Sequence, residues 1–128
     1  MEERETIRLS DSEWRVMEEL WTAPSTLMEL VRTLGNKAGW AKSTVATVIR
    51  RLEEKGAVRA EQTGRTKLFY PALAREEVAA AETESLLSRV YHGSVGLLVN
   101  TLIQQKSLSK QDLDELYAIL EQTKEGES

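Results

Sequence analysis

Apolar residues recur along most of this chain at helical spacing, interrupted once by a stretch that alternates. Trp14, Met17, Leu20 and Trp21 share one face, with Val16 beside them, and this pattern predicts a first helix. In "LSDSEW", Ser10 and Glu13 have capping-box spacing, and Leu9 and Trp14 that of a hydrophobic staple. Pro24 in "TAPST" ends the helix. Thr26 and Glu29 repeat the capping-box spacing before the stripe Leu27, Leu30, Val31 and Leu34, and Gly35 is the expected stop of this second helix. "GNKAGW" reads as a loop anchored by Trp40. The third helix is "AKSTVATVIRRLEEKG", with Val45, Val48, Ile49 and Leu52 on its buried face and Lys55-Gly56 as its end.

From Ala57 to Tyr70 the pattern changes. Ala57, Val58 and Ala60 alternate with polar residues, "QTGRTK" carries a glycine, and Leu68, Phe69 and Tyr70 favour a strand that Pro71 stops. This is a β-hairpin with its tip at Gly64. Helical spacing returns from Arg75. Val78, Ala81, Leu86, Leu87, Val90 and Tyr91 mark a long helix ending near "YHG", and "SVGLLVNTLIQQ" a shorter, more apolar one. The last helix is capped by Ser109, with Asp112 at N3 and the stripe Leu113, Leu116, Tyr117 and Leu120, and "EGES" reads as a frayed tail.

Three helices followed by a hairpin is the order of a winged helix-turn-helix, whose third helix enters the DNA major groove. The expected fold is therefore mainly α with a small β-hairpin wing, and a C-terminal helical region follows it. The expected division is a winged-helix domain over 1–72 and a three-helix domain over 73–128. Opposite its apolar stripe the third helix presents Ser43, Thr47 and Arg50, flanked by Thr44, Ala46 and Arg51. Small residues permit close approach to a groove, hydroxyls bond phosphates or bases, and arginine can grip guanine. Lys42 stands at the helix N-terminus, where backbone N–H groups also attract phosphate. Arg65 and Lys67 add charge on the wing.

Charge sharpens this picture. The net charge of −4 conceals a basic segment: residues 32–67 hold nine Lys/Arg against three Glu, whereas residues from 71 onward hold five Lys/Arg against ten Asp/Glu. An anionic partner for the first part alone fits that distribution. Composition excludes other chemistry. No cysteine is available for disulfides, thiolate metal sites or nucleophilic catalysis. One histidine, no glycine-rich phosphate loop and no metal-ligand spacing argue against an enzyme, a cofactor or a metal site. His92 reads as a helix-end residue. No apolar run reaches the ~18 residues of a membrane span, and the charged start lacks a signal-peptide core. The expected location is cytoplasmic.

Several motifs, in order, resemble the penicillinase-repressor family of transcriptional regulators, the BlaI/MecI type. They are "LSDSEWRVMEELW", "GWAKSTVATVIRRLEEKG", "LFYPAL" and "VYHGSVGLLVNTLIQQKSLSKQDLDELYAIL". The resemblance implies a homodimeric repressor whose winged helix binds an operator and whose last three helices interlock with those of a second subunit. The leucine-rich C-terminal stripes agree with burial against another chain, or against the winged helix of the same chain. A twofold dimer would place two recognition helices about 34 Å apart on a palindromic site. Thr44, Thr47 and Arg51 match the family's recognition helix. Ser43 and Ala46 are small where well-studied members are basic, Arg50 is basic where they carry a smaller polar residue, and Lys42 and Ala41 replace a proline and a serine cap. A different operator sequence is expected. The resemblance also implies relief of repression by a sensor-linked protease, at an Asn-Phe bond that is Asn100-Thr101 here. A copper-sensing branch uses C-terminal cysteines, which this chain lacks. The competing reading is a winged helix used for protein interaction without sequence-specific DNA binding.

Overall fold

The structure is a computed structural model and describes residues 7–126. Its elements run α1 (Asp11–Thr22), β1 (Ser25–Thr26), α2 (Leu27–Ala38), α3 (Lys42–Lys55), β2 (Val58–Thr63), β3 (Thr66–Pro71), α4 (Arg75–Tyr91), α5 (Val95–Gln104) and α6 (Lys110–Gly126). Both expected capping boxes form. Ser10 N–H donates to Glu13 Oε1 at 2.8 Å while Glu13 N–H donates to Ser10 Oγ at 3.3 Å. Thr26 and Glu29 exchange the equivalent pair at 2.8 and 3.2 Å. Each box satisfies two N–H groups that a helix start leaves unpaired.

α2 ends later than its sequence suggests. Gly35 stays helical, and the left-handed residue that stops the helix is Gly39, at φ 70°. Glycine is tolerated inside a helix at a cost of about 1 kcal/mol; only the positive φ at 39 demands it. α3 ends as expected on Gly56, at φ 81°. Gly56 N–H donates to Glu53 O at 3.0 Å and Ala57 N–H to Leu52 O at 2.9 Å, a Schellman motif. Leu52 and Ala57 are both buried, so the turn out of α3 is closed by apolar packing as well as hydrogen bonds.

The sheet has three antiparallel strands in the order β1-β3-β2. The hairpin turns at Gly64, where φ is 63°, with Thr63 opposite Thr66. Two details depart from expectation. "TAPST" contributes β1, with Ser25 opposite Phe69 and Thr26 opposite Leu68. Pro71 belongs to β3, opposite Val58. β1 reaches only Leu68 and Phe69, so Pro71 lies beyond that pairing and no ladder there requires the N–H it lacks.

By compactness the described chain divides after Thr83, inside α4. The first unit contains the whole buried apolar core. Val16, Met17 and Leu20 of α1 meet Leu30 and Leu34 of α2, the stripe of α3, and Val58 and Phe69 of the sheet. Val78 is buried in the same cluster, which is why the first turns of α4 belong to this unit. The second unit has well-formed helix ends. Ser94 Oγ accepts from Leu97 N–H at 3.1 Å, and Ser109 and Asp112 exchange two bonds of 3.0 Å. His92 and Gly93, at φ 51° and 81°, make the turn after α4. α6 continues through Gly126, so the described part of the expected tail is helical.

Candidate nucleic-acid interface

α3 begins without a side-chain cap, because Ala41 has no acceptor to offer. Ala41 O instead accepts from Thr44 and Val45 N–H at 3.1 and 3.2 Å. Val45, Val48, Ile49 and Leu52 are buried, which fixes the rotation of the helix on the core. Lys42, Ser43, Thr44, Arg50 and Arg51 are consequently exposed, and Ala46 and Thr47 half-buried. The apolar stripe predicts Thr47 on the outermost line of the helix; in the fold it is partly shielded. Arg65 and Lys67 are exposed on the wing, beside the Gly64 turn and at the start of β3. All nine residues belong to one compact unit.

Ion pairing sorts the cations of the basic segment. Lys37 pairs with Glu19 at 2.8 Å, Lys55 with Glu13 at 2.6 Å and Arg59 with Glu61 at 2.6 Å. Arg59 also lies 4.2 Å from the Tyr70 ring centroid. Among the described residues, Lys42, Arg50, Arg51, Arg65 and Lys67 have no carboxylate partner within 4.0 Å. The cations that the sequence places on α3 and the wing thus lack a carboxylate partner among the described residues. Arg32, exposed on α2, is a further cation without a carboxylate partner among the described residues, and its residue type alone assigns it no role.

The Lys55–Glu13 pair was not visible in the sequence beyond the capping box. Glu13 is 2% exposed. Lys55 Nζ donates to its Oε1 at 2.6 Å and to Arg8 O at 2.7 Å. One carboxylate therefore ties the start of α1 to the end of α3. Burial acts to raise the Glu13 pKa, but the Lys55 ammonium and the Ser10 N–H outweigh it and hold the carboxyl below its usual range. At the other end of α1, hydrogen bonding from Arg75 holds Glu18 below the usual carboxylate range, and Glu18 raises Arg75 in return.

Comparison with known proteins gives this surface a context. The penicillinase repressor family model matches residues 9–122. The chain belongs to that family. It is 30% identical over 118 residues to the penicillinase repressor of Bacillus licheniformis, covering 91% of this chain and 92% of the relative. The methicillin resistance regulatory protein MecI of Staphylococcus aureus (strain N315) is 23% identical over 119 residues, covering 92% and 97%. Among solved structures, the monomeric form of Bacillus licheniformis BlaI in complex with the blaP half-operator superposes with a TM-score of 0.52 at 26% identity. That match covers 57% of this chain and 90% of the other. The penicillinase repressor family is one of transcriptional repressors, not enzymes. The described residues contain no group of three or more His, Asp or Glu able to hold a metal ion. No described helix is long and apolar enough to cross a membrane.

The bond at which the family resemblance implies cleavage, Asn100-Thr101, lies within α5. Asn100 is exposed and Thr101 half-buried, and Thr101 Oγ1 donates to Leu97 O at 3.0 Å. The helical backbone around this bond would have to open before a protease could take it as an extended strand.

Proposed function

We propose that this repressor acts as a homodimer on a palindromic operator, reading base edges with α3 and gripping phosphates with the wing. Residues 1–72 bind DNA and residues 73–128 pair the two copies. The observation that carries the reading is the set of unpaired cations on α3 and the wing, beside the small hydroxyl-bearing positions of α3. Ser43, Thr44, Ala46 and Thr47 allow close approach, Arg50 and Arg51 reach base edges or phosphate, and Lys42 reinforces the open helix N-terminus. Arg65 and Lys67 contact the backbone alone. Cleavage at Asn100-Thr101 by a sensor-linked protease relieves repression in the cytoplasm.

A gel-shift titration against the DNA upstream of its own gene tests this. Affinity should fall by orders of magnitude between ~50 and ~200 mM salt, as counterions compete for the phosphates. Thr47→Ala or Arg50→Ala should change base preference by about 1–3 kcal/mol, whereas Arg65→Ala or Lys67→Ala should weaken all sequences alike. Absence of binding even at low salt would leave the winged helix as a protein-interaction module.

A further inference from the structure

The connection from the winged helix into α4 is short and held at every residue. Three residues, 72–74, join β3 to α4. Ala72 N–H donates to Ala57 O at 2.8 Å, and Ala74 N–H to Glu77 Oε1 at 3.2 Å. Between them, Leu73 O accepts from Trp21 Nε1–H at 2.8 Å. Trp21 is itself braced edge-on against Trp14, with ring centroids 5.4 Å apart at 63°. Arg75, the first residue of α4, donates through Nε to Glu18 Oε1 at 2.9 Å and through Nη2 to Glu18 Oε2 at 3.4 Å. Its guanidinium carbon lies 5.7 Å from the centroid of the Trp14 ring. One turn further on, Val78 is buried. None of these contacts involves the residues assigned to DNA.

A segment of this kind is a natural place for a hinge, since a few free residues suffice to let two parts swing. Here side chains of α1 hold Leu73 and Arg75 at the start of α4. We propose that Trp21, Glu18 and Arg75 are positioning residues for operator spacing. They set the direction in which α4 leaves the winged helix, and so the separation at which a dimer delivers its two recognition helices. The inference rests on the dimeric operator reading above. Its physical content is effective concentration. Once one winged helix is seated, a stiff joint concentrates the second over one half-site position, whereas a loose joint spreads it over several. Breaking the clamp should therefore weaken binding at the preferred spacing and make other spacings less unfavourable. Binding to a single half-site should not change.

The test uses full-length protein. The wild type first selects duplexes from a random-sequence pool. The best twofold site, its isolated half, and versions with one to three base pairs added or removed at the centre then serve as labelled probes. Trp21→Phe keeps most of the packing and loses the bond to Leu73. Glu18→Gln with Arg75→Gln breaks the ion pair at exposed positions, and so remains informative should the Trp21 variant fold poorly. The expected result is unchanged half-site affinity and a loss of about fivefold at the preferred spacing, as a loosened joint spreads the second winged helix over about five positions. The penalty for altered spacing should shrink, and the swapped pair Glu18→Arg with Arg75→Glu should recover part of the discrimination. Parallel losses on half and full sites would overturn the proposal, reducing the clamp to a stabiliser of the winged helix. So would an unchanged spacing profile. A wild type that selects no twofold site overturns the operator reading, and this inference with it, before any variant is made.

Discussion

The two compact units of this chain treat the same residue types in opposite ways. In the first, Leu34 of α2 is fully buried, as is Leu52 of α3. In the second, Leu120 of α6 is 53% exposed, and Val95, Ile103 and Tyr117 are exposed with it. No described residue after Thr83 is buried. Both units nevertheless have sound helix ends, with side-chain caps at Ser10 and Thr26 in one and at Ser94 and Ser109 in the other. The difference teaches that capping and apolar spacing are enough to specify a helix, but a core needs several elements closing on one another. Helices α1 to α3 and the sheet do close; α5 and α6 carry apolar residues at helical spacing that stay exposed. A second copy of the chain is the proposed cover.

The largest expected effect breaks this comparison on the side of the first unit. Leu34→Ala should lower the unfolding free energy by about 2–5 kcal/mol, the usual range for a buried leucine. Chemical denaturation followed by tryptophan emission reports this unit directly, since all three tryptophans lie in it. The effect should persist whatever the protein concentration. Leu120→Ala should behave differently. At about 0.8 kcal/mol per buried CH₂, and with roughly half the side chain left to cover, the loss is about 1.2 kcal/mol per copy. Two copies together lose about 2.4 kcal/mol, some 50-fold in dimer Kd. Sedimentation analysis should show that shift, and the tryptophan transition measured on fully dissociated protein should stay in place. If Leu120→Ala instead destabilises the dissociated chain as Leu34→Ala does, the second unit has its own core and the contrast fails.

The smallest effect sharpens the account of the first unit. Glu13→Gln should cost about 1–2 kcal/mol at neutral pH, the range of a charge-assisted hydrogen bond reduced because Lys55 remains 38% exposed. The folded pKa of Glu13 is lowered, so its contribution is complete above the unfolded carboxylate value. It is lost as pH falls through the lower folded value. Wild type and variant should therefore converge in stability in acid and separate as pH rises. A gap that stays constant from acid to neutral pH would show that the carboxylate charge is not what joins α1 to α3.

Much of the fold was legible because it is local. The capping boxes of α1 and α2, the Gly56 stop and the Gly64 turn are all set by residues a few positions apart. What escaped the sequence depends on distant partners. β1 is two residues that become a strand only because Leu68 and Phe69 lie alongside. Gly35 and Gly39 are four residues apart, and nothing local says which one takes the left-handed conformation. Glu13 looked complete as a cap, and its pairing with Lys55 spans 42 positions. The face of α3 followed from its apolar stripe, since four buried residues determine the rotation of a helix. The partial shielding of Thr47 did not, because it depends on what surrounds the helix.

By itself the sequence determined the helices, the hairpin, the family resemblance and the surface α3 presents, because hydrophobic periodicity and capping chemistry act over a few residues. Only the tertiary structure decided which cations meet a carboxylate and which lack one among the described residues. It alone tied α1 to the end of α3 and to the start of α4. Those outcomes depend on side chains brought together from remote parts of the chain, and no local pattern encodes such a distance.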